Sequence, residues 1–288
     1  MAYPEQFIQV DGLKTRYIQQ GSGPAVILLH GASLGSSADV FARNLPPLAH
    51  AGLRVIAYDQ PGFGLTDNPS DYSVAYRRRF IMMFMDALAL ERAALIGHSQ
   101  AGNMAVALTF DHPERISKVM ILGTGSLLPP APAAQKEKSA REGEEGTATE
   151  PTLEQTRALL EHNLYNHQLI TPEVLEVRQR MSVGKNFEAF LKRSQAAQGG
   201  GAKDAKPMWQ RLVDLPCPLL MIFGKNDRGH AFARAALLKE TYPQLDLHII
   251  EGCKHLVQWD VMDEFHNLAT KFLPNGYAGD LEPRTGQA

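Results

Sequence analysis

The stretch AALIGHSQAG (93–102) decides the fold, because it combines a buried strand, a tight turn and the start of a helix. The run AALIG (93–97) is apolar without alternation, which is typical of a parallel strand covered on both faces. Gly97 and Gly102 flank Ser99 and allow the strand and the helix to approach closely, while the turn holds the serine in a sparsely allowed backbone conformation. A serine presented in this way is a candidate nucleophile.

The usual pattern around such a serine, G-x-S-x-G, is broken by Ala101. We expect the helix to tolerate the one extra methyl group. A structural turn with an unreactive serine stays open as the alternative, because short motifs also match by chance.

Further apolar runs on both sides of this stretch predict a mainly parallel sheet. The chain begins with two extended runs joined by Asp11-Gly12, which predicts a hairpin. Segments long enough for crossover helices separate the later runs, so the order of elements indicates an α/β protein. The predicted strands are AVILL (25–29), RVIAY (54–58), KVMIL (118–122), CPLLMIF (217–223) and LDLHII (245–250).

The alternation of strands and helices stops between Thr124 and Met208, where three amphipathic helical stretches follow a segment without apolar periodicity. We therefore predict one catalytic core interrupted by a helical cap. The stretch that opens the insert cannot bury enough apolar surface to become ordered by itself. The predicted organisation is a core of 1–124 and 209–274, a cap of 125–208 with helices near 152–166, 172–182 and 186–196 and a flexible loop at 129–150, and a flexible tail of 275–288.

A serine hydroxyl needs a base and an orienting acid before it becomes a good nucleophile. His255 follows the predicted strand LDLHII, and Asp227 follows the predicted strand CPLLMIF. The carboxyl ends of parallel strands meet at one edge of a sheet, so these side chains can converge on Ser99. The order serine, aspartate, histidine is that of a hydrolase triad.

The tetrahedral intermediate of such a reaction needs backbone N–H donors for its oxyanion. The loop His30-Gly31-Ala32-Ser33 follows the strand AVILL, and its small residues allow its backbone to approach Ser99. We assign the donors to the N–H groups of Ala32 and Gln100. The side chains of His30 and His98 are interpreted as shaping the two loops, because His255 is better placed to act as the base.

Composition excludes several other classes of protein. The 288 residues include 29 Lys and Arg against 31 Asp and Glu, so no basic surface for nucleic acid or an anionic membrane is expected. No apolar run approaches the roughly 20 residues of a membrane span, and the amino terminus lacks a signal-peptide pattern. We therefore expect a cytoplasmic protein with a small-molecule substrate, no metal and no cofactor, and leave a homodimer open.

Two minor expectations concern cysteine and arginine. Cys217 begins one predicted strand and Cys253 follows the end of another, which would separate them by roughly 20 Å and leave both as free thiols. The run Arg77-Arg78-Arg79 opens a predicted helix, and we expect it to face solvent.

Taken together, these motifs resemble those of the α/β-hydrolase superfamily over nearly the whole chain. Besides the turn at Ser99, the segments that carry the resemblance are HGASLG (30–35), DQPGFGLTD (59–67), HPER (112–115), GKND (224–227) and the Cys-x-His loop (253–255). The resemblance implies an α/β-hydrolase fold, with a mostly parallel central sheet flanked by helices and an inserted helical cap.

Within that superfamily, LITPEVLEVRQRM (169–181) and CKHLVQW (253–259) are similar to the meta-cleavage-product hydrolases, which break a carbon–carbon bond in ring-opened aromatic compounds. In that family an arginine after an L-I-T-x-E run grips the substrate carboxylate, and Arg178 stands at that position. The resemblance also places Gly31, Ser33, Trp209 and Leu256 near the substrate, although a core position for Trp209 and a solvated one for Arg178 stay open.

This chain departs from the family pattern at the pocket. The family's motif around the nucleophilic serine is G-N-S-M-G-G, whereas this chain has His98 before the serine and Gln100 after it. Leu256 stands where the family usually has a tryptophan after the catalytic histidine. The resemblance implies a serine hydrolase that cleaves a carbon–carbon bond in a vinylogous keto acid of the 2-hydroxy-6-oxohexa-2,4-dienoate type. A carboxylesterase or lactonase with the same triad is the alternative, and a ligand-binding protein on a hydrolase fold is the alternative outside enzymes.

Overall fold

The computed structural model describes residues 3–131, 149–196 and 206–274. Most of the loop predicted at 129–150 and all of the tail predicted at 275–288 lie outside these ranges. No helix in the described part of the chain is both long and apolar enough to cross a membrane.

Eight strands form one sheet in the order β1-β2-β4-β3-β5-β6-β7-β8. The predicted hairpin is present: β1 and β2 are antiparallel and Val10 pairs with Leu13, with both turn residues, Asp11 and Gly12, at positive φ. From β4 to β8 all neighbours are parallel, which confirms the predicted fold class. The strands are β1 (Gln6–Val10), β2 (Leu13–Gln20), β3 (Ala25–Leu29), β4 (Arg54–Tyr58), β5 (Ala93–His98), β6 (Ile116–Leu122), β7 (Leu219–Gly224) and β8 (Asp246–Ile250).

The continuous apolar runs arise because each central strand serves two cores. In β3, Ile27 and Leu29 face one core while Val26 and Leu28 face the other, and all four are fully buried. Several of the predicted strand ends differ from the structure by one or two residues. Strand β7 begins at Leu219 rather than Cys217, because Pro218 has no N–H for the ladder.

Helices cover both faces of this sheet. Aromatic and aliphatic side chains of α2, α3 and α7 fill the first core, and those of α1 and α9 fill the second. The helices are α1 (Leu45–His50), α2 (Val74–Ala87), α3 (Gln100–Asp111), α4 (Leu153–Asn163), α5 (Pro172–Arg180), α6 (Lys185–Ala196), α7 (Ala231–Thr241), α8 (Val257–Asp260) and α9 (Met262–Phe272).

Helices α4 to α6 lie between β6 and β7 in the chain, where the sequence predicts the cap. Thr152 starts α4 with a capping box, and Thr171 caps α5 ahead of Pro172. Polar contacts fasten these helices to loops of the core: Lys185 Nζ donates to the carbonyl of Thr66 at 2.7 Å, for example. The domain boundaries at 125 and 208 stay predictions.

The thiols of Cys217 and Cys253 are both free, as predicted. Cys253 is fully buried beyond the end of β8, and burial raises the pKa of its thiol far above the usual range. Burial also raises the pKa of Cys217 to about 12. Neither thiol is therefore a reactive thiolate at neutral pH.

The turn from β5 into α3 depends on close backbone contact. A Cβ atom on Gly97 would lie 2.6 Å from the Cα of Gly102 and 2.8 Å from the carbonyl oxygen of Ala101, and neither atom can rotate away. The methyl group of Ala101, which breaks the usual motif, is fully buried within α3.

We expect Gly97→Ala to destabilise the protein by about 1 to 3 kcal/mol, because the added methyl must push α3 away from β5. Urea unfolding measures the change. Gly125→Ala is the matched control, since its Cβ would meet nothing closer than 3.8 Å. Equal stability of the two variants would contradict the proposed strand-to-helix contact.

Candidate active site

Three side chains from distant parts of the chain meet at the carboxyl edge of the sheet. Ser99 Oγ lies 3.0 Å from Nε2 of His255, and Nδ1 of the same ring lies 3.0 Å from Oδ2 of Asp227. The carboxylate only accepts, so Nδ1 carries the proton and Nε2 is free to accept from the serine hydroxyl. This is the arrangement in which an imidazole activates a serine as a nucleophile.

Ser99 stands at the top of the strand-to-helix turn in a strained conformation, with φ of 57° and ψ of −127°. Its neighbours hold it there: its N–H donates to the carbonyl of Leu122 at 2.8 Å, and its carbonyl accepts from Thr124 Oγ1 at 2.7 Å. Backbone strain that is stabilised by surrounding contacts is common at reactive residues.

The acid of this site is buried but remains ionised. Burial alone would raise the pKa of Asp227, but the charge of His255, the hydrogen bond to its ring and the nearby Arg228 together hold the pKa below its usual range. Gly123, with φ of 58°, makes room for the pair, because a Cβ there would lie 3.3 Å from Nδ1 of the imidazole.

Two backbone N–H groups close to Ser99 in the chain or in space are candidate donors to an oxyanion. Gln100 is the first residue of α3, so its N–H has no acceptor within the helix and the helix dipole adds positive potential. The N–H of Ala32 donates to no described residue. Gly31 brings this loop against the nucleophile, since a Cβ on it would lie 3.0 Å from Cβ of Ser99. The assignment of the N–H groups of Ala32 and Gln100 as the oxyanion donors stays a prediction.

The side chains of His30 and His98 hold loops, in line with their interpretation from the sequence. His30 donates from Nδ1 to the carbonyl of Gly31 at 2.7 Å and accepts at Nε2 from the N–H of Gln60 at 3.0 Å. His98 donates from Nε2 to the carbonyl of His255 at 2.9 Å. Burial lowers the pKa of His30 to about 3, and burial followed by the charge of His255 lowers that of His98 well below its usual value.

A narrow cavity beside the triad contains most of the predicted pocket residues. Gly31, Ser33, Arg178 and Leu256 line it together with His255, and Nη2 of Arg178 donates to Oγ of Ser33 at 3.2 Å. The volume is about 10 Å³, which is room for about one water molecule. A larger molecule fits there only if residues that line the cavity move apart.

Of the two positions that the sequence left open for Trp209, the structure supports the one in the core: its ring packs on the core of the sheet, 6.3 Å from that of Tyr242, and it is not among the described residues that line this cavity. The expectation that all three residues of Arg77-Arg78-Arg79 face solvent is wrong. Arg77 does not face solvent but is only 3% exposed, because the first turn of α2 directs it into the protein. Of the three consecutive arginines, Arg79 is exposed and Arg78 half-buried.

Sequence reasoning missed the residues that join the cap to the triad. The carbonyl of Asn163, the last residue of α4, accepts from the N–H groups of both His255 and Leu256 at 3.1 Å. Its side-chain Oδ1 accepts from Arg228 at 2.6 Å, and the N–H of Arg228 donates to Oδ1 of Asp227 at 2.8 Å. The sequence offered no sign of these contacts, because they join segments that have no shared motif.

Known proteins share the sequence pattern and the fold of this chain. The sequence pattern of the family described as alpha/beta hydrolase fold matches residues 24–260. The chain is 30% identical to the 2-hydroxy-6-oxononadienedioate/2-hydroxy-6-oxononatrienedioate hydrolase of Burkholderia vietnamiensis, over 91% of each chain. It is 32% identical to the 2-hydroxy-6-oxo-6-phenylhexa-2,4-dienoate hydrolase of Comamonas testosteroni, over 89% of this chain and 90% of the relative.

A solved structure has a similar fold. A mutant of the meta-cleavage product hydrolase from Pseudomonas fluorescens IP01 superposes with a TM-score of 0.74 at 27% identity. The superposition covers 93% of this chain and 96% of the other.

We expect Asp227→Asn to slow covalent labelling of Ser99 by a fluorophosphonate by about 10⁴-fold, because an amide favours the wrong tautomer of His255. The second-order labelling rate measures the effect. Asp246→Asn, at an exposed position in β8, serves as control and should label like the unmodified protein. Rapid labelling of Asp227→Asn would remove this carboxylate from the triad.

We expect neither Asp227 nor His98 to contribute to the pH dependence of the same labelling rate in the mildly acidic range. The lowered pKa of Asp227 keeps its carboxylate ionised, and the lowered pKa of His98 keeps its imidazole neutral. A plot of the logarithm of the rate against pH should therefore have an acidic slope of no more than one. A slope of two on the acidic side would show that a second group of the site titrates in the same range.

Proposed function

This chain belongs to the α/β-hydrolase fold family, and from that premise we propose that it hydrolyses a carbon–carbon bond in a 2-hydroxy-6-oxohexa-2,4-dienoate. Ser99 is the nucleophile, His255 the base and Asp227 the residue that orients it. The observation that carries the proposal is the guanidinium of Arg178, which shares a narrow cavity with the imidazole of His255. The 2-hydroxy group, the 6-oxo group and the dienoate of this substrate occur in the names of both relatives.

Cleavage of a carbon–carbon bond demands an electron sink. When the carbonyl carbon is attacked, the neighbouring carbon must leave with the bonding electron pair. The dienol first tautomerises to a ketone, with the enol proton removed and a proton added to the carbon that later leaves. His255 lies in the cavity and is the group that can move this proton. The resulting 2-oxo acid then accepts the electron pair.

The attack follows ordinary acyl-transfer chemistry. His255 takes the proton of Ser99 as the oxygen adds to the C6 ketone, and the N–H groups of Ala32 and Gln100 receive the oxyanion. When the oxyanion collapses, the bond between C5 and C6 breaks, its electron pair passes to the oxygen at C2, and His255 returns the proton taken from Ser99 to the departing dienolate, which leaves as the 2-hydroxydienoate. A water molecule activated by His255 then hydrolyses the acyl-serine to a carboxylic acid. One water molecule is consumed overall.

Arg178 suits the substrate carboxylate. Its guanidinium lies against Ser33 and presents a fixed positive charge to the cavity. A guanidinium can bind a carboxylate through two parallel hydrogen bonds. Negative charge grows on the keto-acid half as the carbon–carbon bond breaks, so the same cation stabilises both the bound substrate and the departing dienolate.

The test is to mix the protein with a coloured ring-fission product and, separately, with p-nitrophenyl acetate. Rapid loss of the dienol colour together with formation of the carboxylic acid supports the proposal. Persistent colour with rapid ester cleavage would assign the same triad to an esterase or lactonase. Absence of both reactions and of fluorophosphonate labelling in folded protein would indicate a ligand-binding role.

We expect Arg178→Met to lower kcat/KM for the keto acid by roughly 30- to 1000-fold, which corresponds to about 2 to 4 kcal/mol. Hydrolysis of the uncharged ester should change only a few-fold, because that substrate has no carboxylate. Arg180→Met is the matched control at an exposed position of the same helix. Equal losses for both substrates would remove Arg178 from carboxylate recognition.

A homodimer, a cytoplasmic location and the absence of a nucleic-acid partner stay predictions. The small-molecule substrate is supported by the hydrolase relatives. Gel filtration of the purified chain measures the oligomeric state.

A further inference from the structure

Arg77 is a buried cation without a buried anion beside it. The residue is 3% exposed, and within the described part of the chain it forms no ion pair with a carboxylate. Its Cζ atom lies 5.5 Å from the ring centre of Phe63, which is also buried. Burial lowers the pKa of Arg77 to about 10, so the group keeps its charge at neutral pH. A charge buried in this way is costly unless its other contacts compensate.

The first contact of Arg77 leads to one side of the oxyanion site. Nη1 donates to Oε1 of Gln60 at 3.4 Å. Gln60 in turn binds His30 twice, since its N–H donates to Nε2 at 3.0 Å and its Nε2 donates to the carbonyl oxygen at 2.5 Å. His30 starts the loop that carries the N–H of Ala32.

The second contact leads to the other side. Nη2 of Arg77 donates to Oε1 of Gln100, the residue directly after the nucleophile, at a short distance. Arginine has no acceptor, so the glutamine oxygen must face it and the amide orientation is fixed. The N–H of Gln100 is the donor that α3 contributes to the oxyanion site. One guanidinium is therefore linked to both backbone segments that carry a proposed donor, to α3 through the side chain of Gln100 and to the loop of Ala32 through Gln60 and His30.

We propose that Arg77 is a positioning residue that sets the two N–H donors of the oxyanion site at their distance from Ser99 and adds positive potential behind them. The inference rests on the serine mechanism proposed above and extends it to a residue outside the cavity. Positive charge one glutamine side chain away from the oxyanion favours the transition state over the uncharged ground state, because the interior has a low dielectric constant.

The test measures catalysis separately from binding. We expect Arg77→Met to lower kcat by roughly 10- to 100-fold with little change in KM, because the donors are misplaced only with respect to the transition state. The rate of fluorophosphonate labelling of Ser99 should fall by a similar factor and requires no knowledge of the substrate. Arg77→Lys keeps the charge but not the two-pronged contact, so its loss should be intermediate. Arg79→Met, at an exposed position of α2, is the control and should leave both rates unchanged.

A second variant covers the case in which Arg77→Met does not fold. Gln100→Met keeps the backbone N–H and removes only the acceptor of Arg77, so it should slow labelling in the same way. In folded protein, the double variant should lose no more than Arg77→Met alone, because Arg77→Met already removes the contact with Gln100.

Unchanged labelling rates in folded Arg77→Met and Gln100→Met would overturn the inference, as would additive losses in the double variant. A rise in KM at constant kcat would do the same. Failure of the proposed carbon–carbon cleavage is recognised separately, in the unmodified protein, by persistent dienol colour.

Discussion

The close approach of β5 and α3 is the constraint on which the rest of the site depends. Gly97 and Gly102 allow the two backbones to touch. Ser99, in the turn between the strand and the helix, has a positive φ. That conformation lifts Ser99 above the edge of the sheet and directs the first N–H groups of α3 toward the same point. Ser99 and the amino end of α3 are therefore placed by one backbone feature, and the other side chains of the site converge on it.

Convergence is provided by the parallel sheet. Strands β3, β5, β7 and β8 end at the same edge, so the loops after them bring Gly31, Ser99, Asp227 and His255 together from across the chain. The segment inserted between β6 and β7 also contacts the triad. Its α4 helix ends in a carbonyl that accepts from the backbone of His255, so the base of the triad is held by core and cap together.

Much of this was predictable from sequence. The strands were recognisable because each faces two cores and is therefore continuously apolar, and the triad because each member directly follows such a run. The contacts that could not be predicted are those made by side chains between distant segments. Arg77 reads as solvated within a run of three arginines, and only the direction in which α2 packs turns it inward. The contacts of Trp209 with Tyr242 and of Asn163 with His255 could not be predicted for the same reason. A local sequence pattern does not show which distant residue a side chain or carbonyl will contact.

The small cavity beside the triad bears on the equilibrium of substrate binding. It has room for about one water molecule, and its lining includes Leu160, Asn163 and Arg178 from α4 and α5. If a substrate binds only to a state in which these residues have moved apart, its apparent affinity is the intrinsic affinity multiplied by the fraction of molecules in that state. Substrate selectivity would then depend on the free energy of this opening as well as on the shape of the pocket.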